Sequence, residues 1–503
     1  MMLPRRRVLI GALPAAIGPW FALQGQAATP PSSDRETSAR PTSAATVFKD
    51  LARDMVRRGE TDGLVIVTVK KGLVDHCAAG VGVRDSASAV TFDSVFEIGS
   101  ISKVLSAQVL AHAVRASRID LQADVRQYLP GSFPNLAFEG KPIRVRHLVD
   151  TTSALPDNLP ESEVLLKGHP PEAHLEVIAR HVAGDSYARL LADLQQVHLR
   201  GPSGRRPAHS KLAAQLLGEI LSRTYREPYG MLLNRFIERP FGMSPSDRSG
   251  RRMDTVGYLS ASSAASPYLQ GETMQSAGGL AYSARDMGQF LKGVLSSPEP
   301  ALTLARRVLW GDVNDVALGF GWQVSKTPDG MLRYRASGGT LGYSSFIEVY
   351  PRLGYGVALL SNRAGEAQGH LKWMAERGKD RLFGKPAPLL EFEHRVQTSQ
   401  FARIAEAAAE VQRRFPATHL SQDLLDTWAF GLILEGLTKE GLALLAFQAD
   451  RRPRSLSALL SYAEGMAATG KVDKAVGLFR DVLKLEPDNR QAIGRIQELG
   501  GQR

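Results

Sequence analysis

From Gln422 to Pro487 the chain repeats itself at a fixed period of 34 residues. Leu425, Ala429, Leu432, Gly436, Leu445 and Pro453 recur as Leu459, Ala463, Met466, Gly470, Phe479 and Pro487. Such a period leaves little choice of architecture: a small residue lets two helices cross closely, glycine ends the first helix and proline stops the second. The second copy has Ala475 and Phe479 at its helix-packing positions, where the first has Gly441 and Leu445. Two copies are few for a stack that buries its own ends, so the helical stretch at residues 400–414 is expected to cap the array or dock it onto the rest of the chain.

Upstream the texture differs. Short β-like runs at residues 63–69 (GLVIVTV), 345–350 (SFIEVY) and 355–360 (YGVALL) alternate with helical stretches and Gly/Pro/Ser turns, and strand signals vanish beyond residue 375. Gly378, Gly384, Pro386 and Pro388 mark a connector. The division drawn is therefore an α/β domain at 46–377, a linker at 378–399 and helical repeats at 400–503. The 34-residue period resembles that of tetratricopeptide repeats, which implies a protein partner held as an extended segment; a helical buttress for the neighbouring domain is the other reading.

The beginning of the chain reads as a sorting signal. Arg5-Arg6-Arg7 precede a mostly apolar run at residues 8–23, followed by Gly25, Ala27 and Ala28 and then Pro30-Pro31. The run is too short, and too broken by Pro14 and Pro19, to span a bilayer, which takes about 20 helical residues. A signal peptide at 1–28 is expected, with a flexible lead-in at 29–45 and export to the periplasm or beyond; the arginines suit a twin-arginine route, and a general secretory route stays open. Cleavage takes the net charge from +11 to +8, since it removes three arginines and no acid. The basic residues are scattered and not interleaved with aromatics, so no nucleic-acid partner is expected. The single cysteine, Cys77, excludes an internal disulfide or a thiolate metal cluster.

The chemically informative stretch is Phe96-Glu97-Ile98-Gly99-Ser100-Ile101-Ser102-Lys103. Gly99 permits a tight turn, and Ile101, Leu105 and Val109 follow at helical spacing. Ser100 and Lys103 are thus expected one turn apart on one face, at a helix N-terminus. Unsatisfied amides and the helix dipole there favour an alkoxide or oxyanion. A lysine buried beside a serine loses its charge by desolvation and accepts the hydroxyl proton. There is no His-Glu-x-x-His and no Gly-x-x-x-x-Gly-Lys-Ser/Thr, and the eleven histidines show no ligand spacing. No metal or cofactor is expected.

This stretch resembles the nucleophile motif of the serine β-lactamase and penicillin-binding-protein superfamily, in particular its class C β-lactamase, D-peptidase and esterase group. The likeness runs over residues 47–363. IDLQADVRQYLP (119–130) and IRVRHLVDTTSALPD (143–157) are similar to the segments that follow the nucleophile, with Thr151 and Ala154 where a histidine and a glycine are usual. SAGGLAYSARDMGQFL (276–291), LGFGW (318–322), SGGTLGYSSF (337–346) and GVALLSNR (356–363) resemble the later landmarks. The resemblance implies an antiparallel sheet flanked by helices with an all-α subdomain inserted between its halves, followed here by the all-α repeat domain. It also implies catalysis through an acyl-enzyme on Ser100, with Lys103 as proton acceptor and the amides of Ser100 and Gly339 as oxyanion hole.

Two of the three motifs depart from the pattern. Where a Tyr-x-Asn is usual, alignment on Leu216-Leu217-Gly218 places His209-Ser210-Lys211. Histidine, with an ordinary pKa of about 6.5, is a candidate base or proton relay. The third motif reads Ala336-Ser337-Gly338 and lacks its cation, leaving Lys211 or Arg335 to supply charge beside Ser337. The expected site is therefore Ser100, Lys103 and His209, with Gly339, Ser337 and Lys211 as substrate-binding groups. Three functions stand open: an exported serine hydrolase acting on a small-molecule or peptide ester, amide or D-amino-acid peptide; a non-catalytic binding protein with degenerate motifs; and, least favoured, a true β-lactamase.

Overall fold

The computed structural model describes residues 43–159, 165–199, 201–246, 253–365, 367–487 and 489–500. The expected signal at 1–28 and most of the lead-in lie outside the described residues. Ala44 and Ala45 of that lead-in already belong to helix α1 (Ala44–Arg57), whose N-cap is Ser43. Among the described residues no helix is long and apolar enough to cross a membrane.

The described chain falls into two compact units, one of residues 43–325 and 332–371, the other of residues 326–331 and 372–500. In the first, an antiparallel sheet is built from β1 (Gly63–Lys70), β2 (Leu73–Gly80), β5 (Trp310–Gly311), β6 (Ala317–Gly319), β7 (Trp322–Lys326), β8 (Leu332–Gly339), β9 (Ser344–Tyr350) and β10 (Tyr355–Ser361). Its order is β2-β1-β10-β9-β8-β7-β6-β5, so an early strand and the latest one lie side by side, with Leu64 opposite Ser361. Strands β1, β9 and β10 are buried along nearly their whole length. That accounts for their unbroken apolar runs, since a strand covered on both faces has no polar side to alternate with. Gly288 of helix α4 (Ala284–Ser296) brings its backbone against Val67 and Val74.

Between the two halves of the sheet the chain is mainly helical. Helix α2 (Ser102–Arg115) follows the small ribbon of β3 (Val95–Glu97) with β4 (Ala281–Ser283), and α3 (Lys211–Tyr225) packs against it. Ten of the fourteen α2 residues are buried, as expected of a helix apolar on more than one face. One hydrophobic core runs through α2, α3 and the strands, including Leu105, Val109, Leu216, Ile347 and Leu360. Each such side chain contributes about 1.5–3 kcal/mol on burial, which anchors α2 in the same core as the sheet.

The second unit contains α6 (Ala387–Thr398), α7 (Ile404–Arg414), α8 (Gln422–Leu434), α9 (Thr438–Arg451), α10 (Leu456–Ala468), α11 (Val472–Leu485) and α12 (Arg490–Gly500), with α5 (Ala367–Phe383) leading in. The starts of α8 and α9 recur 34 residues later as the starts of α10 and α11. Gly436 and Gly470 follow the first helix of each pair with φ of 84° and 74°. Ala429, Ala463, Leu445 and Phe479 are all fully buried. The linker expected at 378–399 is helical instead. Gly384, at φ 80°, lies just past the end of α5, and Pro386 is the N-cap of α6, so these breaker residues punctuate two helices. A buried ion pair of Glu464 and Arg495, with Nη2 to Oε2 at 2.9 Å, fastens α12 to α10.

Candidate active site

Strand β3 delivers the chain to Gly99, whose φ of 53° lies in the left-handed region. An alanine Cβ there would lie 2.5 Å from the Gly339 nitrogen and 2.8 Å from its oxygen, so the nucleophile turn rests directly on the end of β8. Gly338 meets the turn in the same way, against the Ile98 carbonyl. Ser345 Oγ ties that carbonyl down with a 2.7 Å hydrogen bond. Ser100 sits in a single 3₁₀ turn, Gly99–Ile101, and α2 proper begins two residues later. The sequence expectation of a helix N-terminal serine is thus corrected by half a turn. The tight turn is fastened by Ser102 Oγ donating to Gly99 O at 2.7 Å.

The structure brings Lys103 beside both Ser100 and His209. Lys103 Nζ lies 2.9 Å from Ser100 Oγ, 3.1 Å from His209 Nε2 and 2.8 Å from the Ala277 carbonyl. Burial pushes the Lys103 ammonium down to about 7; the nearby Asp157 charge opposes this and Lys211 adds to it. At neutral pH a large fraction of Lys103 is therefore a neutral amine with a lone pair.

His209 precedes α3, and its side chain is 15% exposed. Its Nδ1 is 2.5 Å from Asp157 Oδ1. Burial and then the Lys103 charge push the imidazole down to about 4, against the pull of Asp157, so the ring is neutral at pH 7. Asp157 also caps α3. Its Oδ1 accepts the Lys211 amide at 3.1 Å, and its main-chain oxygen accepts the amides of Lys211 and Leu212. Burial would raise its pKa, yet Lys211 and His209 hold it well below the usual carboxylate range.

The remaining expected groups are distributed differently. Gly339 is exposed at the end of β8 beside the turn of Ser100, and Ser337 stands two residues earlier, opposite Phe346 in the sheet register. Lys211 Nζ is turned to Asp157 Oδ2 at 3.3 Å, so its charge is already matched. Arg335 is buried in the sheet opposite Glu348 and does not replace the cation missing at Ala336. Sequence reasoning missed Asp157 and the Ala277 carbonyl. It also missed Glu97, whose carboxylate accepts the Leu269 amide at 2.5 Å and a hydrogen bond from Thr340, the residue after Gly339. Burial pushes Glu97 up to about 7, those hydrogen bonds working against it. The loop leading to Asp157 carries two left-handed residues other than glycine, Thr151 at φ 59° and Ala154 at φ 62°. Among the described residues no cluster of three His, Cys, Asp or Glu side chains is placed to hold a metal ion.

The beta-lactamase family model matches residues 48–379, about two thirds of the chain. The chain belongs to the beta-lactamase family. Within this family it is 25% identical over 294 residues to the D-alanyl-D-alanine-carboxypeptidase/endopeptidase AmpH of Escherichia coli, covering 54% of this chain and 72% of AmpH. Among solved structures, a beta-lactamase/D-alanine carboxypeptidase from Yersinia pestis superposes with a TM-score of 0.56 at 19% identity, over 67% of this chain and 98% of that one. A class C beta-lactamase from Rhodobacter sphaeroides gives 0.53 at 20% identity, over 67% and 98%. At such identities the two structures speak for the fold. The beta-lactamase fold accounts for the mixed architecture, the antiparallel sheet and the inserted helices.

Proposed function

We propose that this beta-lactamase-family chain is an exported serine hydrolase that works through an acyl-enzyme on an ester, an amide or a D-amino-acid peptide. The observation that carries the reading is the 2.9 Å contact of Lys103 Nζ with Ser100 Oγ, made by a lysine that burial holds near pKa 7. Neutral Lys103 takes the Ser100 proton as Oγ bonds to the substrate carbonyl carbon. The resulting oxyanion is stabilised by the Ser100 and Gly339 amides, which require no particular side chain. On collapse the bond to the leaving group breaks, and Lys103 returns the proton to that group. A water then attacks the ester, giving a proton to Lys103, and Lys103 passes it to Ser100 Oγ as the bond between Oγ and the acyl carbon breaks. His209 serves as a relay partner of Lys103.

The likeness to AmpH supports the D-peptide end of this range. The matched charge of Lys211 and the buried Arg335 favour substrates that need no cation at the third motif. The arginines and apolar run at the N-terminus support export. We read the 34-residue helix pairs as tetratricopeptide-like, a surface for a protein partner. The test is intact-mass spectrometry after exposure to a fluorophosphonate and, separately, to a penicillin. An adduct on Ser100 from the fluorophosphonate alone is the expected result. Adducts from both would move the reading to a β-lactamase, and no adduct from either would move it to a non-catalytic binding protein.

A further inference from the structure

Three acceptors surround Lys103 Nζ, and their chemistry decides whether this amine is a base. The Ala277 carbonyl only accepts, so one N–H is committed to it. Ser100 Oγ and His209 Nε2 can each donate or accept, and a neutral amine has just two hydrogens and one lone pair. If Nε2 is bare, it takes the second hydrogen, and the lone pair is left facing Ser100. If Nε2 carries a proton, it donates to the lone pair instead, and Lys103 has only a hydrogen to offer the nucleophile. The tautomer of His209 therefore switches Lys103 between base and bystander.

What sets that tautomer is on the other side of the ring. We propose that Asp157 is a positioning residue that holds the proton of His209 on Nδ1, presents Nε2 to Lys103 as an acceptor and so aims the lysine lone pair at Ser100. A carboxylate paired with Lys211 and accepting the α3 amide has no proton to donate, so the 2.5 Å contact is made by Nδ1–H. The groups facing His209 are Lys103 from α2, Asp157 from the loop before α3, and Lys211 from α3 itself. The usual tyrosine hydroxyl of the second motif rotates to donate or accept and needs no such guide. An imidazole has two inequivalent nitrogens and does. Lys211 Nζ, 3.3 Å from Asp157 Oδ2, keeps that carboxylate ionised. The inference rests on the reading of Lys103 as base.

Two experiments test it at pH 8. In protein carrying nitrogen-15 histidine, long-range proton–nitrogen spectra give the tautomer of His209 directly, its signals being those lost in His209→Gln. The expected result is a protonated Nδ1 and a bare Nε2; a protonated Nε2 in the native enzyme overturns the proposal without reference to activity. The second experiment measures fluorophosphonate labelling of Ser100. Asp157→Ala is expected to slow it at least 30-fold and to reverse the tautomer. Asp157→Asn keeps an acceptor at the Oδ1 position, and is expected to retain both the tautomer and labelling within about tenfold. Slow labelling of a folded Asp157→Ala protein with the tautomer unchanged, or labelling at the native rate, overturns the proposal. Lys103→Met separates the two levels: native labelling in that variant removes Lys103 as base, whatever Asp157 does.

Discussion

Replacing Gly99 by alanine tests whether the nucleophile turn and β8 are in backbone contact. Two costs are expected. Holding alanine at φ 53° costs about 1–2 kcal/mol. The new Cβ would also meet the Gly339 nitrogen at 2.5 Å, the Gly339 oxygen at 2.8 Å and the Gly338 carbonyl carbon at 2.9 Å. These are all backbone atoms that cannot rotate away, which adds about 1–3 kcal/mol of overpacking. Together they amount to ~2–5 kcal/mol, a fall in Tm of about 3–7 °C for a unit of this size. Gly59 supplies the control, since its φ of 72° is equally left-handed and nothing lies within 4 Å of its Cβ position. Gly59→Ala is expected to cost only the conformational share, about 1–2 kcal/mol. Calorimetry on both variants gives the difference, and fluorophosphonate labelling of Ser100 is expected to fall at least tenfold in Gly99→Ala alone. Equal losses of Tm in the two variants would refute the close approach of Gly99 to Gly339.

Other consequences are open to measurement. The labelling rate of Ser100 is expected to rise with pH through a midpoint near 7 and then level off, because Lys103 is protonated below that value and a base above it; a midpoint near 10, the ordinary lysine range, would mean that burial does not perturb it. Arg495→Met leaves Glu464 buried without its cation and is expected to destabilise the helical unit by about 3 kcal/mol in urea unfolding. Ala154→Gly relieves a left-handed alanine at the expense of a more flexible unfolded chain, for a net gain of about 0.5 kcal/mol in the same assay.

Features written locally in the sequence were legible there. Gly99, Ser100 and Lys103 lie within five positions, and their spacing alone sets the nucleophile and its lysine on one face. The 34-residue period fixed the pairs α8–α9 and α10–α11, because each helix end is marked by its own glycine or proline. Contacts between distant segments were not legible. Asp157 is 52 residues from His209 and sits in a loop whose Pro-Asp reads as an ordinary turn; only the docking of that loop on the start of α3 joins them. Lys211 looked like a spare cation because its partner, Asp157, comes from another part of the chain; Arg335 did so because its own segment does not mark it as buried within the sheet. The breakers between 378 and 399 read as a connector for a related reason: glycine and proline mark where a helix stops or starts, and a close succession of such marks looks the same in a loop.

The meeting of β1 with β10 also governs how the protein is made. The β1–β2 hairpin is complete at Gly80, but the partner of its inner edge, β10, begins at Tyr355. At a synthesis rate of roughly 5–20 residues per second, the edge carrying Leu64, Val65, Ile66 and Val67 waits ~15–60 s for its neighbour. During that time it is an unpaired apolar strand able to join any other strand it meets. The helices between the two halves can form meanwhile from local contacts, whereas the sheet cannot close. A nascent chain interrupted anywhere before residue 355 therefore carries that open edge permanently, and would be expected to be recovered in aggregates.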